Sequence, residues 1–386
     1  GSGAANHALS TPGKIKLVAV ADAFKDRLDD ALNNLKNQHP DKIAVTEDHK
    51  FIGFDGYKKA IELADVVILA TPPGFRPIHF EEAIRQGKHV FMEKPVAVDA
   101  PGVRRVLAAA EEAKKKNLKV GVGLQRHHQQ VYIETIKRLQ DGQIGDIHTA
   151  RAYWVDSGVW VKPRKPEQTE MEYQMRNWYY FNWLCGDHIC EQHIHNLDVI
   201  NWVKTTGPSY GHPIRAQGMG GRQVRNGIDH GEIFDHHFVE FEYSDGSKLF
   251  SQCRHIPGCW SSVSEHVTGT KGTCDIGGGT IRGTDQWRWK KPEKPVDPYQ
   301  QEHYDLFDAI RSNKPYNEAE MGAISSMTSI LGRMCTYSGK MIEWKDAIES
   351  KIDLMPERFA WDAKPKSLPD ENGRYQIAIP GKTITV

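Results

Sequence analysis

Hydrophobic and polar positions in the first third of the chain follow two alternating periods. Residues 14–21 (KIKLVAVA) form a β-rich run that stops at Asp22, and residues 64–70 (ADVVILA) form a continuous apolar run closed by Thr71-Pro72-Pro73. Residues 89–92 are apolar and end at Glu93-Lys94-Pro95, and residues 118–124 (LKVGVGL) are a fourth such run. Between them lie stretches of helical period at 25–38, where Leu28, Ala31, Leu32 and Leu35 share a face, and at 55–63, 77–86 and 99–117. Short strands apolar on both faces, alternating with helices, predict a parallel, doubly wound sheet.

The second half changes character. A helix is predicted at 129–140 and a strand at 146–155, followed by a long loop rich in Pro, Arg and aromatics at 160–182. Residues 187–202 read as one helix, and 215–226 as a Gly/Arg-rich loop. Residues 234–243 and 248–255 read as strands joined at Ser244-Asp245-Gly246, a hairpin signal. Strands at 263–268, 272–276 and 280–282 continue that sheet, helices follow at 301–312 and 317–336, and residues 349–386 form a Pro-rich tail expected to wrap the surface or a neighbouring subunit. The organisation expected is a nucleotide-binding domain at 1–124, a second α/β domain at 125–348 and the tail.

Composition narrows the classes. Fifty basic residues balance fifty acidic ones, so no nucleic-acid partner is implied. No apolar run approaches the ~20 residues of a membrane span. The six cysteines contain no CxxC pair and read mostly as free thiols, and 18 histidines, 10 tryptophans and 13 tyrosines suit a carbohydrate site, where rings stack on sugar faces.

Two stretches carry chemistry. A buried strand that delivers Lys94 at its C-terminal end, with Pro95 ending the ladder, puts an amine where open α/β sheets hold their ligands. In 187–202, at 100° per residue, Asp187, His188, Glu191, His195 and Asp198 fall within one arc of about 100°. The remainder of that helix is apolar, so the stripe is expected to line a polar cavity. His188, Glu191 and His195 are also a possible metal set, though the order is not H-E-x-x-H. For a dinucleotide, Asp22 is the acidic residue expected for the ribose hydroxyls, and it favours NAD because a carboxylate repels a 2′-phosphate. Gly1 and Gly3 open onto a helix start, and the first strand and leading glycines of such a motif are expected to lie ahead of Gly1.

Residues 18–22, 64–72 and 87–95, together with Gly142-Gln143-Ile144-Gly145, resemble the glucose–fructose oxidoreductase/inositol dehydrogenase (Gfo/Idh/MocA) family over residues 1 to about 348. The resemblance implies an N-terminal Rossmann domain and a C-terminal α+β domain whose large, mostly antiparallel sheet serves substrate binding and homo-oligomer contacts, as a dimer or tetramer. It implies NAD as cofactor, with Gly1, Gly3, Asp22, Thr71, Pro72, Pro73, Glu93 and Lys94 as its contacts. Lys94 is then a catalytic amine, and Glu191 and His195 match the family's carboxylate and histidine at i and i+4, with Glu in place of the more usual Asp. Arg126, His127, Trp178, Tyr179, His188 and Asp198 are the expected carbohydrate contacts, and no metal is assigned.

Three functions remain open on this reading. The leading one is an NAD(H)-dependent oxidoreductase acting on a secondary hydroxyl of a sugar, cyclitol or glycoside. The second is a glycoside hydrolase or lyase that oxidises the sugar transiently with no net redox. The third is a sugar sensor or scaffold with a vestigial fold. A bacterial protein is expected, cytoplasmic or periplasmic, with no membrane association.

Overall fold

The computed structural model describes residues 1–386. Helix α1 (Ser2–Leu9) opens the chain. Then come β1 (Val20–Asp22), α2 (Lys25–Gln38), β2 (Lys50–Ile52), α3 (Gly56–Glu62), β3 (Val66–Leu69), α4 (Arg76–Arg85), β4 (His89–Met92), α5 (Ala100–Lys115) and β5 (Val120–Val122). Every ladder here is parallel: β1 pairs with β2, and β3, β4 and β5 pair in that order. Parallel pairing sets the C-terminal ends side by side, so the residues after Leu69, Met92 and Val122 emerge along one rim.

The two pieces of sheet share no hydrogen bond with one another. Helix α1 joins them by packing: Ala5 and Leu9 meet Leu35, Leu17 and Ile43 on one side and Ile68 on the other. Of the run at 14–21, only Val20 and Ala21 enter the ladder, and Leu17 makes a single bridge to Ile43. Val90, Phe91, Met92, Val120 and Val122 are fully buried, as expected of strands covered on both faces.

The second half contains α6 (Gln130–Gln140), β6 (Ile147–Asp156), α7 (Glu170–Arg176), α8 (Asn182–Cys185), α9 (His188–Glu191), α10 (Ile194–Val203), β7 (Arg215–Gly221), β8 (His236–Glu242), β9 (Lys248–His255) and β10 (Ser262–Gly269). It ends with β11 (Gly272–Asp275), β12 (Thr280–Gly283), β13 (Trp287–Arg288), α11 (Pro298–Ser312), α12 (Ala319–Ser338), β14 (Ile342–Glu343) and α13 (Trp344–Glu349). A nine-stranded sheet runs β13-β12-β11-β10-β6-β9-β8-β7-β14, antiparallel except between β6 and β9. Helices α10 and α12 cover one face, and α11 and α12 pack back on α1 and α5. Strand alternation sorts the side chains: His237, Val239 and Phe241 are buried under the helices, while His236, Phe238 and Glu240 face the other way.

Three expectations change, and the tail takes the first of its two expected courses, over the surface of its own chain. Residues 215–221 are a strand, not a loop; the glycines there reflect close approach, since a Cβ on Gly218 would stand 2.5 Å from the Phe238 carbonyl oxygen. The stretch at 160–182 is not structureless, because it holds α7 and a 3₁₀ turn at Trp178–Tyr180. The tail folds onto its own chain, burying Ala363 and Tyr375 beside Phe181 and Trp183 and setting Trp361 on Phe24 and Phe54 at 5.1 and 4.7 Å. The helix at 187–202 is two helices, α9 and α10, with consequences for the site.

Candidate active site

Strand β4 ends at Met92, and the chain leaves the sheet through Glu93 and Lys94, with a cis bond to Pro95. The Lys94 ammonium crosses to α9, where it donates to the Glu191 carbonyl and, at 3.1 Å, to Glu191 Oε1. Both side chains are only 12% exposed. An ammonium has three protons, so one remains for a third acceptor. Glu191 Oε2 is buried without a partner. Burial raises the Glu191 pKa, and the Lys94 charge works against that rise.

The break between α9 and α10 decides which groups join this pair. The His193 N–H bonds the His188 carbonyl five residues back at 3.2 Å, and the Asn196 N–H then bonds His193 three back. A widened turn followed by a tightened one ends the regular 100° progression. Asp187, at φ 73°, starts α9 in a conformation rare for a non-glycine residue, and its carboxylate caps the His188 N–H. The single stripe therefore divides into three groups.

Glu191 and His195 face Lys94. Neither His195 nitrogen has a protein partner, Nδ1 is out of solvent, and the ring stacks on Trp154 of β6 at 5.9 Å. Burial, then the charges of Lys94 and Arg126, hold the imidazole well below its ordinary pKa, so it is neutral and able to accept a proton. Tyr179 is buried beside Glu191, its hydroxyl unpartnered and its pKa raised by burial and then by that carboxylate. Trp178 packs edge-on against Trp160 at 5.8 Å.

Asp187 and His188 lie beneath this site, fully buried. Asp187 accepts from the Phe234 N–H at 2.9 Å and the Tyr337 hydroxyl at 2.6 Å and pairs with His188, while Arg225 donates to His255 Nδ1 at 2.8 Å. His188 was expected at the substrate; it is instead enclosed by His237 and His255, with ring centroids 4.8 and 4.5 Å away. Asp187, His188 and His237 place donor atoms within 4.8 Å of one another, but the donors already on Asp187 and the Arg225 cation make this a hydrogen-bonded cluster ill suited to a second cation. The considered set of His188, Glu191 and His195 is not gathered.

Asp198 leaves in a third direction. It takes His127 Nε2 at 2.8 Å, the Tyr210 hydroxyl at 2.7 Å and the Ser325 hydroxyl at 2.7 Å, and His127 stacks on Trp202 at 4.1 Å. His127 and Asp198, both expected at the substrate, thus bind each other in a packing network away from Lys94. Arg126 is held by an ion pair to buried Glu265, which also takes the Tyr132 hydroxyl at 3.1 Å and Asn196.

Along the rim of the first sheet, Asp22 Oδ1 accepts the Phe24 N–H at 2.9 Å, and the other oxygen has no protein donor. Fully buried Arg76 donates to the Glu93 carbonyl at 3.0 Å and the Thr71 carbonyl at 2.7 Å, fixing the two rim segments relative to each other. Pro73 opens a 3₁₀ turn after Pro72. The Glu93 carboxylate lies on Gly123, where a Cβ would come within 2.5 Å of it. The sequence reading missed Arg76 and Trp154. Trp154 had a legible signal: it shares parity with core-facing Ala150 and Ala152, where a tryptophan must fill a core or line a cavity.

A Rossmann-type half whose rim presents a carboxylate, open backbone and a lysine thus faces a helix that carries a carboxylate and a neutral histidine. Residues 2–123 match the family described as oxidoreductase, NAD-binding Rossmann fold (Gfo/Idh/MocA). It is 26% identical to inositol 2-dehydrogenase of Rhizobium meliloti (strain 1021) over 196 residues, 51% of this chain and 49% of the relative. It is 25% identical to 2,7-anhydro-N-acetylneuraminate hydratase of Escherichia coli (strain K12) over 236 residues, 57% of this chain and 56% of that protein. The chain thus spans about half the length of these curated relatives. Scyllo-inositol dehydrogenase from Lactobacillus casei, solved with NAD(H) and scyllo-inositol, has the same fold at a TM-score of 0.64, with 18% identity, 89% of this chain and 95% of that one covered.

The rim fits such a nucleotide. The first intrahelical bond of α1 is from Ala5 N–H to the Gly1 carbonyl, so the N–H groups ahead of Ala5 have no partner within the helix, and a Cβ on Gly3 would meet nothing within 4 Å. Unpaired N–H groups at a helix start beside open space suit a diphosphate, and the free oxygen of Asp22 suits ribose hydroxyls.

Proposed function

We propose that the protein is an NAD(H)-dependent oxidoreductase that acts at a secondary hydroxyl carbon of a sugar, cyclitol or glycoside. The observation that carries this reading is the convergence of Lys94, Glu191 and His195 from two halves of the chain, with buried acceptor atoms on Glu191 and His195 that no protein group satisfies. Buried polar groups are rarely left unpaired unless a ligand completes them. When bound, the nicotinamide supplies the hydride donor or acceptor. Gly1, Gly3, Asp22, Thr71, Pro72, Pro73 and Glu93 are the residues proposed to hold the cofactor.

The chain's own groups do the rest. The spare Lys94 proton binds the reacting oxygen and offsets negative charge developing there. Neutral His195 takes the hydroxyl proton in oxidation and returns it in reduction. Glu191 fixes the Lys94 amine, and its free Oε2 accepts from a neighbouring hydroxyl. Tyr179 and Trp178 supply the ring faces, and Arg126, held by Glu265, adds its positive charge to the field at His195.

Mixing the full chain with NAD and a panel of inositols, free sugars and aryl glycosides tests this, with reduced nicotinamide and released aglycone followed together. Accumulation of reduced nicotinamide with at least one polyol is the expected result; none with any member rejects it. The redox-neutral alternative is favoured by one feature, the strap of Trp361 over Phe24 and Phe54 beside Asp22, which would hinder nucleotide exchange. Aglycone release without accumulating reduced nicotinamide would select it.

The outer face of the nine-stranded sheet exposes Met219 (69%) and, packed edge-on against Tyr153, Trp260 (65%), a surface suited to a second copy of the chain. Sedimentation should then give a multiple of 43.7 kDa, and Met219→Glu should shift it toward that mass; a wild-type monomer rejects the pairing. No helix is long and apolar enough to cross a membrane.

A further inference from the structure

Trp154 lies against His195, and the chain that leaves β6 carries a second tryptophan six residues on. Trp160 stands edge-on to Tyr179 at 6.3 Å and to Trp178 at 5.8 Å. Tyr179 in turn lies beside Glu191, so aromatic rings run from the proposed reacting centre outward to Trp160. Trp160 is 41% exposed, in contrast to Tyr179 at 2%.

The backbone around Trp160 is held on both sides. The Tyr180 hydroxyl reaches the Val159 carbonyl at 3.4 Å, and the Lys162 N–H donates to Asn177 Oδ1 at 2.9 Å. Asn177 is fully buried and donates to the Asp229 carbonyl at 2.8 Å, while Asp229 Oδ1 takes the Arg164 N–H at 3.0 Å. A large ring kept half in water on an anchored loop loses little freedom when something stacks on it. Lys162 stands over the indole at 5.9 Å, adding a donor beside the exposed ring.

We infer that Trp160 is the platform of an outer subsite that stacks the aglycone of a glycoside, a second sugar ring or an aryl group, while the oxidised sugar occupies the space at Lys94 and His195. The inference rests on the carbohydrate reading above and narrows it from free polyols to glycosides. A free monosaccharide or inositol is too short to use the outer ring, and a disaccharide or aryl glycoside reaches it.

The test compares KM and kcat for a p-nitrophenyl glycoside, the matching disaccharide and the free monosaccharide, using the full chain with NAD. The wild type is expected to favour the two glycosides. Trp160→Ala should raise their KM at least about tenfold more than that of the monosaccharide, and Trp160→Phe should restore most of the difference. Titration of the NAD-loaded Lys94→Ala variant with each sugar, read by tryptophan fluorescence, measures binding without turnover and should give the same order. Equal preference for glycoside and free sugar in the wild type, or parallel losses on all three in Trp160→Ala, overturns the subsite. If Lys94→Ala still turns over the monosaccharide normally, the catalytic reading fails instead, and the fluorescence order alone decides the subsite.

Discussion

Lys94→Ala is expected to lower turnover by roughly 10²-fold or more, and His195→Ala by a similar factor. The two variants fail for different reasons. Lys94→Ala removes the donor to the reacting oxygen and also strands Glu191. Breaking a buried pair costs about 3–5 kcal/mol when the remaining charge has nowhere to go. Glu191 escapes that cost by taking up a proton. Its folded pKa, already raised by burial, rises further without the lysine, above that of the unfolded chain. The folded variant then binds the extra proton, so its stability falls as pH rises from the unfolded carboxylate value through the folded one. Lys94→Ala should therefore be less stable than wild type at neutral pH, and its deficit should narrow as the pH is lowered toward about 6.5, above the range where the buried histidines destabilise both proteins. His195→Ala should lose activity with only a pH-independent loss of stability from its packing on Trp154, because the wild-type imidazole is neutral and makes no hydrogen bond to the protein. Thermal melts beside initial rates separate the two, and near-normal rates in both variants would reject the catalytic assignment.

Acid is expected to unfold the protein early, between about pH 6.5 and 5. Burial lowers His79 and His193 to about 3 and His188 and His303 to about 4, and it drives His195 and His255 down as well. Each is free to take a proton near pH 6.5 once unfolded. Below that pH the unfolded chain binds these protons and the folded one refuses them, so stability falls as pH falls. Each such group adds up to about 1.4 kcal/mol per pH unit, partly offset by Glu302, Glu191, Glu232 and Glu265, whose carboxyls burial raises so that the folded chain takes their protons first. His128 behaves oppositely. Burial lowers it, but Asp305 and Glu318 more than compensate, and it sits near about 10. It is charged in both states at pH 5, so it does not soften the acid limb, and its contribution is lost only as pH climbs from about 6.5 through 10. Melting temperatures across pH 7.5 to 5 measure the slope, and His193→Gln should reduce it by about one proton. A melting temperature that stays flat over that range would contradict the burial of these imidazoles.

The strand–helix alternation of the first half and the place of Lys94 just beyond β4 were legible because each depends on a short local signal. Apolar runs of four to eight residues closed by Pro or by charge identify buried parallel strands, and a parallel sheet puts whatever follows them on one rim. The histidine stripe was only half legible. A 3.6-residue period assumes an unbroken helix, and the five-residue bond from His193 to His188 ended that period in the middle. Glu191 and His195 still reached Lys94, whereas His188 turned into the core and Asp198 toward His127. Arg215–Gly221 was misread because glycine marks both loops and strands pressed against a neighbour, and composition does not separate the two.

The sequence by itself determined the parallel character of the strands in the first half, the delivery of an amine at their rim, and the alternation that gives the second sheet its two faces. Those properties come from period and punctuation, which each segment carries on its own. Only the tertiary structure decided which of five ionisable groups share space with Lys94, that Trp154 and Trp160 run outward from it, and that the tail closes over Phe24 and Phe54. Such juxtapositions join residues about 20 to 340 positions apart. They follow from how whole faces pack, and a local pattern carries no information about the partner it will meet.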